Sequence, residues 1–332
     1  MSNRHRAIIF AVLLGACTLV AAGAIAAGMR GDGDAASTDA RRALADAKER
    51  GRTTVVFRSL GGGEGGARVA VAPLAAAGGR RTLEPLRCDR VYFGAAGRGL
   101  CLARGSGFAA GYEAQVIGPD MRVLHKLDVA GIPSRARVSP DGRYGTVTLF
   151  VQGHSYAAEG SFSTKTTLID MASGRKVANL EDFVVMRAGR RVTAVDVNFW
   201  GVTFSRDGDT FYATLATGGK TYLIEGSLQE RTAKVLHENV ECPSLSPDGT
   251  RIAYKRRTGS TSTPWRLTVL DLATMRETPL AETRSVDDQA EWSGDDEVVY
   301  GVDGGVWATA ADGSGRPRRL IADADSPAVV RW

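Results

Sequence analysis

From residue 53 onward the chain alternates short apolar runs with polar, glycine-bearing turns. Thr53–Phe57, Arg68–Ala72, Thr167–Asp170, Thr221–Glu225, Arg251–Lys255 and Leu267–Asp271 are of strand length and rich in β-branched or aromatic residues. Such runs, bounded by Gly, Pro, Asp and Ser, predict short β-strands. The best-defined turn is Ser246, Pro247, Asp248 and Gly249, immediately before the run Arg251–Lys255. Proline presets φ at the second position, aspartate tolerates the third, and glycine supplies the positive φ that closes the hairpin. The same turn recurs at Ser139–Gly142 (Ser139, Pro140, Asp141, Gly142), at Ser205–Gly208 (with Arg206, Asp207 and Gly208), and in degraded form at Ser293–Asp296. A turn that repeatedly opens the same kind of strand is the signature of a repeat architecture.

Val91, Val138, Phe204, Leu245 and Trp292 occupy equivalent places, at steps of 47, 66, 41 and 47 residues. Three or four antiparallel strands per step describe a propeller blade. Five such registers follow Arg87, whereas Thr53–Leu86 supplies only part of a sixth. The closing run Ser326–Trp332 reads as one more first strand without its hairpin. Placed in the N-terminal blade, it removes both free sheet edges at once. The expected fold is therefore all-β: a six-bladed β-propeller over residues 53–332.

Composition refines this picture. The 332 residues are 43% hydrophobic, enough for a packed core, and the 40 glycines suit many turns. The net charge of +5 comes from scattered basic residues without a dense Lys/Arg tract, so nucleic acid is not an expected partner. Ahead of the propeller, Arg4, His5 and Arg6 precede 22 uncharged residues, Ala7–Gly28. That length spans a bilayer, and the leading positive charge keeps the amino end in the cytoplasm. Residues 1–28 are expected to be a membrane anchor, or a signal peptide cleaved near Ala24–Ala26, or a lipoprotein leader ending at Cys17. Each of these exports the rest of the chain. Residues 29–52 read as a partly helical linker that packs on nothing, since Leu44 is the one large apolar residue of Gly31–Arg52. An exported compartment is oxidising, and Cys88 and Cys101 flank Val91–Leu100, which reads as a hairpin. The expectation is a Cys88–Cys101 disulfide, with two buried thiols as the alternative and Cys242 as a small core residue.

The turn repeats, together with the run Asn198–Tyr212 (NFWGVTFSRDGDTFY) and the run Glu241–Lys255, resemble the WD40-like propeller repeats of TolB-type envelope proteins, especially TolB-like proteins of actinobacteria. The resemblance covers residues 53–332. It implies an exported, extracytoplasmic propeller that works by binding other envelope proteins and needs no cofactor. TolB carries an additional α/β domain before its propeller, and here a spacer stands in that place.

Candidate chemistry follows from the turn geometry. Turns of a meander alternate between the two ends of a blade, so the Ser-Pro-Asp-Gly turns share one face and the longer connections share the other. The 66-residue step carries its excess in 151–165 and 181–198, and both insertions fall on the long-loop face with 104–111 and 256–264. That face is expected to bind a protein partner through Tyr156, Phe162, Phe183, Arg187, Arg190, Arg191, Arg256, Arg257 and Trp265, a mixture typical of interfaces. The turn aspartates Asp141, Asp207 and Asp248 read as structural. Catalysis is not expected. The run Gly153–Ala157 superficially resembles a nucleophile elbow but lies in a propeller loop. The four histidines have no zinc spacing, and the glycine-rich run Gly61–Gly66 opens no helix. Two further readings remain: an enzyme with a site in the central channel, and a module binding cell-wall glycan or peptide.

Overall fold

A computed structural model describes residues 41–61, 68–105, 111–156 and 162–332. The apolar N-terminal stretch, most of the glycine-rich run 61–66, and the tips of the 104–111 and 151–165 loops lie outside the described residues. Among the described residues, no helix is long and apolar enough to cross a membrane.

Six sheets form the blades, antiparallel throughout except for one added strand in blade 4. Blade 2 runs from Arg90–Gly94 through Arg98–Arg104 and Tyr112–Ile117 to Val123–Val129. Blade 3 begins at Ile132–Val138, blade 4 at Asn198–Phe204, blade 5 at Glu241–Leu245 and blade 6 at Glu291–Trp292. The starting strands thus contain or end at the five positions that the repeat aligns. Blade 1 takes its innermost strand, Ala324–Val330, from the end of the chain, pairing Thr54 with Val330 and Val56 with Ala328. Closure leaves no inner strand unpaired, which is how a propeller disposes of its sheet edges.

The core lies between blades. Val55, Phe57 and Ala70 of blade 1 meet Val299, Val306 and Ile321 of blade 6, all at most 1% exposed. Alternation along each strand supplies both faces of every blade with such residues. The turns lock the geometry. Asp248 accepts from the Thr250 amide (2.9 Å) and the Ser246 hydroxyl (2.5 Å), while Gly249 adopts φ +76°. Asp141 repeats the arrangement with the Arg143 amide (3.0 Å) and Ser139 (2.6 Å). Cys88 and Cys101 are bridged, with Cα atoms 5.4 Å apart, and Cys242 is a buried free thiol.

Two expectations are corrected here. The linker does pack: residues 41–49 form a helix whose Leu44 and Ala47 are 1% and 6% exposed, with Leu44 set against Val56, Val69 and Val330. Positions three apart share a helix face, so one leucine and one alanine suffice for a narrow contact. The first part of the 181–198 insertion is strand rather than projecting loop, and only 192–197, with the exposed Val195, stays irregular. Val184–Arg187 adds in parallel to the outer strand Thr232–Glu238 of blade 4, and Arg190–Arg191 folds back onto it. The connecting Ala188 and Gly189 both have positive φ, 48° and 76°, as a two-residue hairpin turn requires. The outer edge of blade 4 offered unpaired backbone groups, and the insertion satisfies them.

Candidate functional site: the central channel

The six first strands run in the same direction around the axis. Their ends lie at the tight-turn face and their beginnings at the long-loop face. Side chains that point inward from them meet near the axis, and these are charged.

At the tight-turn face the channel opens into a recess of about 260 Å³ bordered by Tyr92, Arg137, Arg206, Arg331 and the turns at Pro140 and Pro247. Arg206 is exposed and forms no hydrogen bond or ion pair among the described residues. Arg331 donates to the Trp292 carbonyl (3.1 Å); burial, and then the like charge of Arg206, lower its pKa.

Midway, polar side chains tie the blades together across the axis. Arg137 forms an ion pair with Glu291, donates to the Ser244 hydroxyl (3.3 Å) and the Ala290 carbonyl (3.2 Å), and lies 4.7 Å over the Tyr92 ring. Gln289 bridges two blades by donating to the carbonyls of Pro243 (2.9 Å) and Val202 (3.3 Å). At the long-loop end Lys255, fully buried, donates to the Asp287 carboxylate (2.7 Å), which Arg135 also reaches (3.2 Å). Burial pushes the Asp287 carboxyl up, but Lys255 and Arg135 more than reverse this and hold it well below the usual range. Glu241, the cross-strand neighbour of Lys255, pairs with Arg257 (2.5 Å). Burial raises its pKa against the pull of Lys255 and Arg257.

An aromatic lid packs against part of that end, where Asp287 itself stays exposed. Tyr156 is 1% exposed, stacked on Trp200 (4.8 Å) and packed against Phe150 (4.6 Å) and Phe162 (5.4 Å). Its hydroxyl bonds to that of Ser134, and Lys255 lies 4.1 Å from the centre of the buried Trp265 ring. The nine residues expected to form one binding face are therefore divided. Tyr156, Phe162, Trp265 and Arg257 belong to the lid and its ion pairs, with Arg257 donating to the Tyr156 carbonyl (2.7 Å). Phe183 is 7% exposed and packs edge-on to Phe211 inside blade 4. Arg187, Arg190 and Arg191 are exposed on the added hairpin, Arg187 lying over Tyr222 (4.4 Å), and Arg256 pairs with Glu277 (2.9 Å). The aromatic members are thus packed inward, because a ring gains more from burial against its neighbours than from water.

The axial residues Arg90, Arg135, Arg137, Asp287, Asp288 and Glu291 were not singled out from the sequence. The available signal was charge on or beside first strands that are otherwise apolar. Among the described residues, no group of three or more His, Cys, Asp or Glu side chains is placed to hold a metal ion. The arrangement binds and separates charge: a closed six-bladed propeller with an ion-paired axis and a recess at its tight-turn mouth.

No family model and no curated protein matches the sequence. Among solved structures the chain is similar to TolB from Acinetobacter baumannii, with a TM-score of 0.56 and 17% identity over 84% of this chain and 66% of that one. It is also similar to a putative TolB from Agrobacterium tumefaciens (TM-score 0.51, 14% identity, 85% and 98% covered). A third similar chain comes from a nidogen/laminin complex (TM-score 0.54, 10% identity, 83% and 98% covered). This chain spans just under two thirds of the Acinetobacter TolB. By fold it is a TolB-like propeller.

Proposed function

We propose that this is an exported, noncatalytic TolB-like propeller that binds a protein partner of the cell envelope or extracellular space at the mouth on the tight-turn face. The observation that carries the reading is the contrast between the two ends of the axis. At the long-loop end the aromatic side chains pack inward and the exposed Asp287 is already paired with Lys255 and Arg135, whereas the other end presents Arg206 and Arg331 around a recess. At about 260 Å³ that recess is smaller than the ~300 Å³ at which small-ligand pockets begin, and it suits one or two side chains of a docked protein. Two neighbouring guanidinium groups favour an acidic segment. Export is supported by the Cys88–Cys101 bridge, which an oxidising compartment preserves, and by the apolar N-terminal stretch. An enzyme in the channel is less well supported, since Asp287, Glu241 and Glu291 are each occupied by a cation.

The test is a double charge reversal, Arg206→Glu with Arg331→Glu, in the full chain. Partner capture should weaken by at least about tenfold while the unfolding midpoint moves little. Undiminished capture by a folded double variant contradicts the reading.

A further inference from the structure

We infer that the middle of the channel is a binding site for one monatomic anion, chloride in ordinary salt, held among Arg90, Arg135 and Arg137. These three residues, with Asp288, Glu291 and Ser326, line a cavity of about 20 Å³ between the blades. A site needs roughly 10–15 Å³ to hold one water-sized particle, so this one admits a single ion and excludes phosphate, sulfate or a carboxylate-bearing ligand.

The charges around it do not balance. Arg90, Arg135, Arg137 and Lys255 face three acids: Asp287, Asp288 and Glu291. The adjoining pairs Arg58–Asp325 and Arg257–Glu241 cancel themselves, leaving one positive charge in excess. Asp288 is taken up by the backbone amides of Gln289 (3.0 Å) and Ser326 (2.9 Å), and Glu291 by Arg137. Among the described residues Arg90 donates only to the carbonyls of Ser134 (2.7 Å) and Asp89 (2.8 Å), and burial followed by repulsion from Arg135 depresses its pKa against the pull of Asp288.

Donors remain as well. The Nε atoms of Arg135 and Arg137 are buried without a hydrogen-bond partner among the described residues, on residues only 6% and 5% exposed. A water molecule satisfies a donor but leaves the surplus charge uncompensated. In a buried setting an uncompensated charge is the larger cost. A small anion answers both.

The experiment compares unfolding midpoints of the full chain in sodium chloride and in sodium gluconate at equal ionic strength, and locates bromide by anomalous diffraction in crystals grown from sodium bromide. The expected result is a halide-specific rise in midpoint that saturates with concentration, with one bromide peak in the cavity. Arg90→Gln removes the surplus charge and should weaken the apparent halide affinity at least about tenfold. Equal midpoints in chloride and gluconate, or no bromide between Arg135 and Arg137, overturns the assignment in favour of water. Should Arg90→Gln fail to fold, the bromide map of the unaltered protein decides.

Discussion

Replacing Cys88 and Cys101 together with alanine removes the bridge that ties the crossing from blade 1 to blade 2 onto the second strand of blade 2. The two positions are 13 residues apart. Closing a loop of that size in the unfolded chain removes about 10 cal/mol/K of entropy, which is about 3 kcal/mol at 25 °C. Both residues are at most 2% exposed and contribute to the cluster containing Leu44, Val56 and Phe93, so the loss of sulfur contacts acts in the same direction. For a domain of this size about 3 kcal/mol corresponds to a midpoint lower by roughly 6 °C. The assay is urea and thermal unfolding of the oxidised protein, the reduced protein and the double variant. Because the bridge acts on the unfolded chain, the urea slope should also steepen when it is lost, as more surface becomes exposed. The reduced protein should show the loop-entropy loss alone, and the variant somewhat more, by the sulfur contacts it also gives up. A change below about 1 kcal/mol, or an unaltered slope with an intact native bridge, would refute the loop-entropy argument.

Leu44→Ala should cost about 2–5 kcal/mol in urea unfolding if the 41–49 helix is part of the core, and almost nothing if it is a spacer. Tyr156→Ala should cost about 3–5 kcal/mol because the ring is enclosed, and Tyr156→Phe about 1 kcal/mol for the lost bond to Ser134. Shortening the 151–165 loop should therefore destabilise the protein, and an unchanged midpoint would show that the lid does not contribute. Burial pushes the carboxyls of Glu84 and Glu181 up to about 7. A raised acid binds its proton more readily in the folded state, so this contribution is present below pH 4.5 and is lost as pH rises to about 7. For Glu84, only 1% exposed, the interval is about 3 kcal/mol. Glu84→Gln should flatten that part of the stability–pH curve, and a slope identical to the unaltered protein's would contradict it.

The turn at Ser246–Gly249 is legible in sequence because three residue preferences coincide in four positions and recur. The closing strand was legible by a different argument: an unpaired run at each end of the chain and a ring that must have no edge. The channel was not. Arg135 and Asp287 are separated by 152 residues, and nothing local in either neighbourhood announces the pairing. Tyr156 and Trp265 show why aromatic loop residues mislead, since the same ring serves an exposed interface or an inward plug. The choice between them depends on loop path, which composition does not encode. Leu44 was discounted because its partner on the helix face, Ala47, carries too little apolar area to register as a stripe. The insertion at 181–198 was visible as length, but its role as added strands depended on an open edge formed by residues 232–238, well downstream.

The most direct test of the central claim is photo-crosslinking in cells from two positions in turn. One is Arg206 at the rim of the tight-turn mouth; the other is Arg191 on the outer hairpin of blade 4. A photoreactive residue at position 206 should form a defined adduct with one extracytoplasmic protein, and that adduct should disappear when Arg331 is changed to Glu. Position 191 should give no adduct with that protein. An adduct from position 191 but none from position 206 would contradict the account.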